Sequence, residues 1–206
     1  MENYAENNIV ELAGIVSGIP VFSHEIFGEG FHLFSIDIDR LSGNTDRIPV
    51  LFSERLCDPN GISQGECITV KGQFRSYNVT KDEGGHKLKL LVFARELEKT
   101  AADRKFCNEI FLDGFICKKP IYRTTPFGRE ITDLLFAVNR AYNKSDYLPC
   151  VVWGRNAKFC GDLDVGAHAR ISGRIQSRGY EKKLKDGEVQ NKVAYEVSVN
   201  TIEVLE

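Results

Sequence analysis

The stretch "GRIQSRGY", residues 173–180, predicts a β-strand and, through that strand, the fold of the whole chain. Successive side chains of a strand point to opposite faces, so Ile171, Ile175 and Ser177 would share one face. The other face would carry a mixed polar and aromatic set: Arg174, Gln176, Arg178 and Tyr180. Cations beside an aromatic ring suit a charged polymer with flat bases, but a solvated strand face is also polar, so this stretch alone leaves both interpretations open.

A counterpart of this stretch, "GQFRSY" at 72–77, shows that the chain contains an internal repeat. Gly72 and Ser76 fall on Gly173 and Ser177, and before that point the offset between the copies is 100 residues. Identical residues at that offset include Asn8/Asn108, Gly14/Gly114, Pro20/Pro120, Gly28/Gly128, Arg40/Arg140 and Pro49/Pro149. A period of this length indicates tandem domains, which we place at residues 1–98 and 107–206, with a short linker at 99–106.

Each repeat consists of five alternating or apolar runs separated by turn residues, the pattern of short β-strands. Only "RNAKFCGDL", residues 155–163, could form a short helix, between the third and fourth strands of the second repeat. We therefore predict an all-β fold of two tandem OB-fold barrels, five-stranded and Greek-key, each with at most one short helix. A β-sandwich stays open, because strand counts do not fix topology.

The composition is that of a soluble globular protein, with 42% hydrophobic and 27% charged residues among 206. The N-terminal "MENYAENN" is polar and acidic, and no apolar run approaches a membrane span, so we expect a cytoplasmic protein with no membrane partner. The net charge of −2 divides unevenly, because residues 1–100 carry −5 and residues 101–206 carry +3. The second half therefore suits an anionic partner better than the first.

Motifs for catalysis or metal binding are absent from the sequence. It has no P-loop, no G-x-S-x-G and no H-E-x-x-H, and its four histidines are isolated from one another, so we predict no enzyme activity and no cofactor. The six cysteines form no C-x-x-C pair and no cluster with zinc spacing. We expect free thiols and no metal.

The second repeat resembles the bacterial single-stranded DNA-binding proteins. The resemblance lies in "KKPIYRTTPFGREITDLLFAVNR" (118–140), "YLPCVVWGRNA" (147–157), "GAHARISGRIQSRGY" (166–180) and "YEVSVNTIE" (195–203). Its most specific part is the run P-x-x-R-x-T-P-x-G-R from Pro120 to Arg129. The first repeat is similar only in outline, through "GIVSGIPVF" and "GQFRSY".

The resemblance implies that the second repeat binds single-stranded DNA with little sequence preference, in DNA replication, recombination or repair. Bases would stack on aromatic side chains while cations track the phosphates. The stacking positions fall on Tyr142, Tyr147, Trp153 and Tyr180. The polar and basic residues that we add to this predicted site are Arg123, Arg129, Arg174, Gln176, Arg178, Lys182, Lys183 and Lys185.

Each of these residues also has a structural interpretation. Trp153 could be a core tryptophan, Tyr142 and Tyr147 could pack within a loop, and the lysines of the loop 180–192 could form a solvated face.

The first repeat departs from the aromatic pattern. Its matching positions are Ser42, Arg47, Ser53 and Val79. It keeps Gln73, Arg75 and Tyr77 on one strand face, for which we predict minor contacts with DNA. We expect this repeat to be a degenerate, structural or assembly copy.

The partners remain open at this stage. The resemblance implies assemblies of four barrels, so a tandem chain would reach that number as a homodimer. The sequence ends at "IEVLE", directly after the last strand, so recruitment of repair or replication enzymes through an acidic tail is not expected. A protein-interaction module for primosome-like assembly is the alternative, with weak or no nucleic-acid binding, and RNA or an oligosaccharide are further ligands for the same face.

Overall fold

A computed structural model describes residues 6–80, 86–101, 105–183 and 188–205. The first half contains β1 (Asn8–Val16), β2 (Val21–Ile26), β3 (Glu29–Asp39), β4 (Thr45–Ser53), a 3-10 helix (Pro59–Gly61), β5 (Cys67–Thr80) and β6 (His86–Lys99). The second half contains β7 (Cys107–Ile116), β8 (Ile121–Thr124), β9 (Glu130–Arg140), β10 (Lys144–Trp153), α1 (Arg155–Gly161), β11 (His168–Lys183) and β12 (Val189–Leu205). No helix in these described ranges is long and apolar enough to cross a membrane.

The two halves have the same strand pairing. In the first half β1 pairs with β3 and β5, β3 pairs with β4, β5 pairs with β6, and a parallel pairing of β4 with β6 closes the barrel. In the second half β7, β9, β10, β11 and β12 repeat these pairings. The prediction of two tandem OB-fold barrels is therefore confirmed. We call them barrel 1 and barrel 2.

Each barrel also has a sixth, short strand that the sequence did not predict. β2 pairs with β3, β8 pairs with β9, and these two strands form the ends of the twelve-stranded order. Almost every side chain of β2 and all those of β8 are exposed. Because neither strand buries a face, neither shows the apolar alternation on which strand prediction depends.

The core positions recur in both barrels because the inward faces must fill the same space. The fully buried pairs include Leu12/Leu112, Ile36/Phe136, Ile48/Leu148 and Phe74/Ile175. The helix expected within 155–163 forms at Arg155–Gly161 and buries Ala157 and Cys160. β1 also pairs antiparallel with β7, which joins the two barrels in one continuous sheet.

Two buried aspartates connect the barrels at a seam beside this pairing. Asp46 of barrel 1 accepts hydrogen bonds from the Ser177 backbone N–H (2.6 Å) and hydroxyl (3.3 Å) of barrel 2. Asp146 of barrel 2 accepts the same two bonds from Ser76 of barrel 1, at 2.8 and 3.4 Å. The seam holds the β3–β4 hairpin of barrel 1 against barrel 2, and the β9–β10 hairpin of barrel 2 against barrel 1.

The two aspartates differ in how fully they are paired. Both carboxylate oxygens of Asp46 accept from the Arg40 guanidinium. Oδ2 of Asp146 is buried and has no hydrogen-bond partner among the described residues. Burial raises the pKa of Asp146 above its ordinary value, and hydrogen bonds from Ser76 oppose that shift only in part.

Candidate nucleic-acid interface

A wide groove of about 930 Å³, which we call the basic groove, crosses the outer face of barrel 2. Its barrel 2 lining includes Arg123, Arg129, Asp133, Val151, Trp153, Arg174, Gln176, Arg178 and Glu196. The β3–β4 hairpin of barrel 1 adds Arg40, Ser42 and Asn44. The groove therefore brings together five of the polar and basic residues that the sequence predicted for the DNA-binding site, and the chain's single tryptophan.

The aromatic rings of this face are positioned by β10. Alternation along β10 places Tyr147, Pro149, Val151 and Trp153 on its outer side, while Asp146 and Leu148 point inward. The Trp153 side chain is 39% exposed and Tyr147 is 46% exposed, so neither is a core residue. Six residues of strand separate the two rings by about 20 Å, so they would serve different parts of a bound polymer.

The carboxylates in the basic groove are already engaged with its polar side chains. Asp133 accepts hydrogen bonds from Arg123 at 2.6 and 3.3 Å, and these bonds raise the pKa of Arg123. Glu196 accepts from Gln176 (2.6 Å). The Arg123 guanidinium neutralises Asp133, whereas the neutral Gln176 amide orients Glu196 without cancelling its negative charge.

The other arginines of the groove differ in their freedom. Arg174 Nη2 lies 3.4 Å from the carbonyl oxygen of Gln176, which is itself buried. Arg129 and Arg178 are exposed, and neither side chain has a carboxylate partner within the described ranges. Arg129 and Arg178 are therefore the groove cations that are readiest to meet phosphates.

A second groove of about 410 Å³ occupies the matching face of barrel 1, and we call it the aromatic groove. Its barrel 1 lining is His24, Ile26, Phe31, Leu51, Arg75, Tyr77 and Phe93. The β9–β10 hairpin of barrel 2 adds Arg140, Ala141, Tyr142 and Lys144. No aspartate or glutamate lines it among the described residues.

Strand register shows how the two grooves diverged. Phe31 and Leu33 pair with Ser53 and Leu51 as Ile131 and Asp133 pair with Trp153 and Val151. The barrel 1 to barrel 2 replacements on the outer face are Leu33/Asp133, Tyr77/Arg178, Leu91/Glu196 and Phe93/Ser198. Apolar residues in barrel 1 thus stand where barrel 2 has charged or polar ones, and they form a small buried cluster around Phe31, Leu51 and Leu91.

Tyr142 lies beside barrel 1, away from the groove that contains Trp153. Its side chain is 93% exposed. Tyr142 and Asn143 both have positive φ, 61° and 52°, in the left-handed region that non-glycine residues rarely adopt. Both residues lie in the tight turn between β9 and β10, and positive φ is common in such hairpin turns.

The three first-repeat residues with predicted minor contacts occupy different depths. Gln73 is buried, and its carbonyl oxygen accepts hydrogen bonds from Arg75 (2.7 Å) and Arg95 (3.1 Å). The Arg75 guanidinium lies 4.8 Å from the centre of the Phe93 ring, and burial lowers its pKa. Tyr77 is half-buried, and burial raises its pKa. Gln73 therefore positions cations, whereas Arg75 and Tyr77 face the aromatic groove.

Tyr180 and Lys182 extend along an arm outside both grooves. β11 and β12 pair as far as Lys183 and Val189, so much of the predicted loop 180–192 is a two-stranded ribbon. Tyr180 is 41% exposed and lies opposite Lys192. The predicted contact at Lys185, and the side chain of Lys183, lie outside the described residues.

Phe127 is an exposed aromatic residue that the sequence reasoning missed. It lies at the tip of the β8–β9 hairpin, between Arg123 and Arg129, and is 92% exposed. The run "TTPFG" had identified a turn, and a phenylalanine before the turn glycine was the available signal. Phe27 occupies the same place in barrel 1.

The cysteines and histidines form no metal-binding group in the part of the chain that the structure describes. No three histidine, cysteine, aspartate or glutamate side chains there are grouped to hold a metal ion. All six cysteines are free thiols. Burial raises the pKa of Cys160 to about 11, which keeps that thiol protonated and unreactive.

Sequence comparison shows what barrel 2 resembles. Residues 107–205 match the model of the single-strand binding protein family. Barrel 2 is therefore similar to this family over almost its whole length. It is 37% identical over 83 residues to single-stranded DNA-binding protein 1 of Staphylococcus aureus, which covers 37% of this chain and 50% of the relative. It is 32% identical over 106 residues to single-stranded DNA-binding protein 2 of Listeria innocua, which covers 48% of this chain and 64% of the relative.

The fold of both barrels together is also known from a solved structure. The wild-type single-stranded DNA binding protein from Thermus aquaticus superposes with a TM-score of 0.78 at 20% identity, covering 97% of this chain and 93% of that one. This likeness shows that the tandem fold occurs elsewhere. The matched curated relatives are longer than their matched parts, which span only about half to two thirds of their length.

Proposed function

We propose that this protein binds single-stranded DNA in the basic groove of barrel 2, with little sequence preference. Bases stack on Trp153, while Arg129 and Arg178 contact phosphates and Arg174 supports them. The observation that carries the proposal is the juxtaposition of four arginines with the exposed ring of Trp153 on the outer face of barrel 2, the barrel that matches the single-strand binding protein family. Stacking on an aromatic ring with cations along the backbone needs no particular base.

The β9–β10 hairpin of barrel 2, which is held against barrel 1, gives the bound strand a route between the barrels. Tyr142 is carried by barrel 2 but stands over the aromatic groove, so a strand that leaves the basic groove can meet it beside barrel 1. Tyr147 and Phe127 extend the set of exposed rings, and Tyr180 and Lys182 extend it along the β11–β12 arm.

The aromatic groove contributes less to affinity than the basic groove in this proposal. Its rings already contact each other. The ring centroids of the stacked His24 and Phe31 are 5.0 Å apart, and those of Phe31 and Phe93 are 6.3 Å apart. Arg75 and Tyr77 therefore make the minor contacts of barrel 1. At the level of the cell, we propose a cytoplasmic role in replication, recombination or repair, with a homodimer presenting four barrels.

The fluorescence of Trp153 tests this proposal directly, because the chain has no other tryptophan. We expect an unstructured oligothymidine to quench it, with affinity that falls with salt at a log–log slope of about −0.7 per phosphate contacted. Anisotropy of labelled oligothymidine gives an independent measure of binding. Absence of binding by both methods would overturn the proposal and favour the protein-interaction alternative.

A further inference from the structure

A third groove, separate from the two described above, lies on the flank of barrel 1. It has a volume of about 790 Å³ and lies between β2 and the segment that joins β4 to β5. Its apolar lining comes from Ile19, Pro20, Phe22 and Ile62, and its rim carries Glu54 and Asp58. Phe22 is 62% exposed, although it lies edge-on to His32 at 5.6 Å. We call this cavity the flank groove.

In barrel 2 the corresponding place is filled by α1. Tyr122 pairs with Thr132 as Phe22 pairs with His32, so the two sites correspond residue by residue. The Thr132 hydroxyl donates to the backbone carbonyl of Ala157 (2.6 Å). Gly161 packs so closely that a Cβ there would lie 3.0 Å from Tyr122 Cβ. Barrel 2 thus covers this flank with a helix of its own.

Barrel 1 has no helix at this place. Its joining segment forms only a single 3-10 turn, which begins at Pro59 and is capped by the Asp58 carboxylate. His32 replaces the threonine that bonds the helix in barrel 2. Nδ1 of His32 is buried and has no hydrogen-bond partner within the described ranges.

The charge of the flank groove defines what can fill it. Its two ionised rim residues are both acidic, and no lysine or arginine lines it among the described residues. The helix that fills the barrel 2 site buries Ala157 and Cys160, three positions apart, and carries Arg155 and Lys158 on its exposed side. A basic helix with small apolar residues three apart therefore matches both the shape and the charge of the flank groove.

We propose that the flank groove binds a short amphipathic basic helix of a partner protein, in the place that α1 occupies in barrel 2. His32 lines the groove at the register position that Thr132 occupies beside α1 in barrel 2. Phe22 packs beneath the helix, and Glu54 attracts its cations. The helix comes from another protein, because α1 of a second copy is packed into its own barrel.

A helical peptide built on α1 tests this inference. The probe is a dye-labelled peptide that carries "RNAKFCG", with Cys160→Ala, inside an alanine-rich frame, since so short a helix is marginal alone. We expect binding with a Kd of about 10–100 µM by anisotropy. A matched peptide with both basic residues changed to glutamate should bind at least about tenfold more weakly.

Variants of the protein locate the site. Phe22→Ser should weaken peptide binding about tenfold, and Glu54→Lys about fivefold. Val21→Ser is the matched control, because Val21 is also an exposed residue of β2 but does not line the flank groove, and it should leave binding unchanged. Glu54 is exposed, so Glu54→Lys still tests peptide binding at the flank groove if Phe22→Ser disturbs folding.

Three results would overturn the inference. The first is that the peptide fails to bind at about 1 mM. The second is that Glu54→Lys binds the peptide as tightly as the parent protein does. The third is that saturating oligothymidine displaces the peptide. The last result would make the flank groove part of a nucleic-acid site. Loss of oligothymidine binding in the fluorescence titration would leave this inference unaffected, so the two proposals fail separately.

Discussion

The basic groove and the aromatic groove are the same surface of the same fold with different chemistry. Both are crossed by a hairpin from the other barrel, and both are framed by strands in equal register. Leu91 nevertheless stands where barrel 2 has Glu196, and Tyr77 where it has Arg178. Inward positions are held by the need to fill a barrel, while outward positions are free to change. One duplicated fold can therefore carry an anion-binding face and a largely apolar face.

The largest effect that we expect comes from the seam that holds the two grooves together. Asp46→Ala should lower the free energy of unfolding by about 3 kcal/mol, because it leaves the buried Arg40 and the Ser177 N–H without their acceptor. Asp146→Asn should lower it less, by about 1 kcal/mol, because the amide oxygen still accepts from Ser76 although Arg140 loses its 3.5 Å ion pair with the carboxylate. Urea unfolding monitored by Trp153 fluorescence measures both.

Asp37→Ala is the matched control for the seam. Asp37 pairs with Arg47 through two 2.8 Å hydrogen bonds at the surface, so its loss should cost less than about 1 kcal/mol. If Asp46→Ala lowers the free energy of unfolding by no more than Asp37→Ala does, the seam does not hold the β3–β4 and β9–β10 hairpins against the opposite barrels.

The second effect separates the aromatic residues of the two grooves. Trp153→Ala should weaken oligothymidine binding by about 2 kcal/mol, or about 30-fold, because a stacked base loses its ring. Tyr77→Ala should weaken it by less than about threefold, because Tyr77 is half-buried beside Arg75. Anisotropy of labelled oligothymidine measures both, with circular dichroism to check folding. Equal losses would mean that the two barrels share the binding evenly.

These residues also show how far sequence reasoning reached. The repeat and the inward alternation predicted both barrels and α1, because core positions such as Leu12 and Leu112 are dictated by local periodicity. The four aromatic residues that the sequence predicted as stacking positions are all exposed. Tyr142 could not be assigned to the barrel 1 side, since its place depends on the Asp146–Ser76 contact between residues distant in the chain. The burial of Gln73 could likewise not be predicted, because it results from tertiary packing and not from the local residue pattern.

A smaller effect distinguishes free from engaged cations within the basic groove. Arg178→Ala should reduce the log–log salt slope of oligothymidine binding by about 0.7, the loss of one phosphate contact. Arg123→Ala should reduce it by less, because Arg123 is already paired with Asp133. Binding isotherms over a series of salt concentrations measure the slopes.

Asp133→Asn provides the complementary test. This substitution removes a negative charge and weakens the pairing with Arg123. The affinity for oligothymidine should therefore rise by about two- to fivefold. If affinity falls instead, Asp133 supports DNA binding by orienting Arg123, and the pair acts as one unit.

The smallest effect is the pH dependence that Asp146 gives to the stability of the seam. Because burial raises the pKa of Asp146, the folded protein binds this proton more tightly than the unfolded chain does. Between the unfolded and the folded pKa the native state holds more protons, so the contribution of Asp146 to stability falls as pH rises through that window. The free energy of unfolding of the wild-type protein should therefore decline relative to Asp146→Asn as pH increases from about 4 towards neutrality. A relative gain over the same range would show that Ser76 and Arg140 stabilise the Asp146 carboxylate more than burial destabilises it.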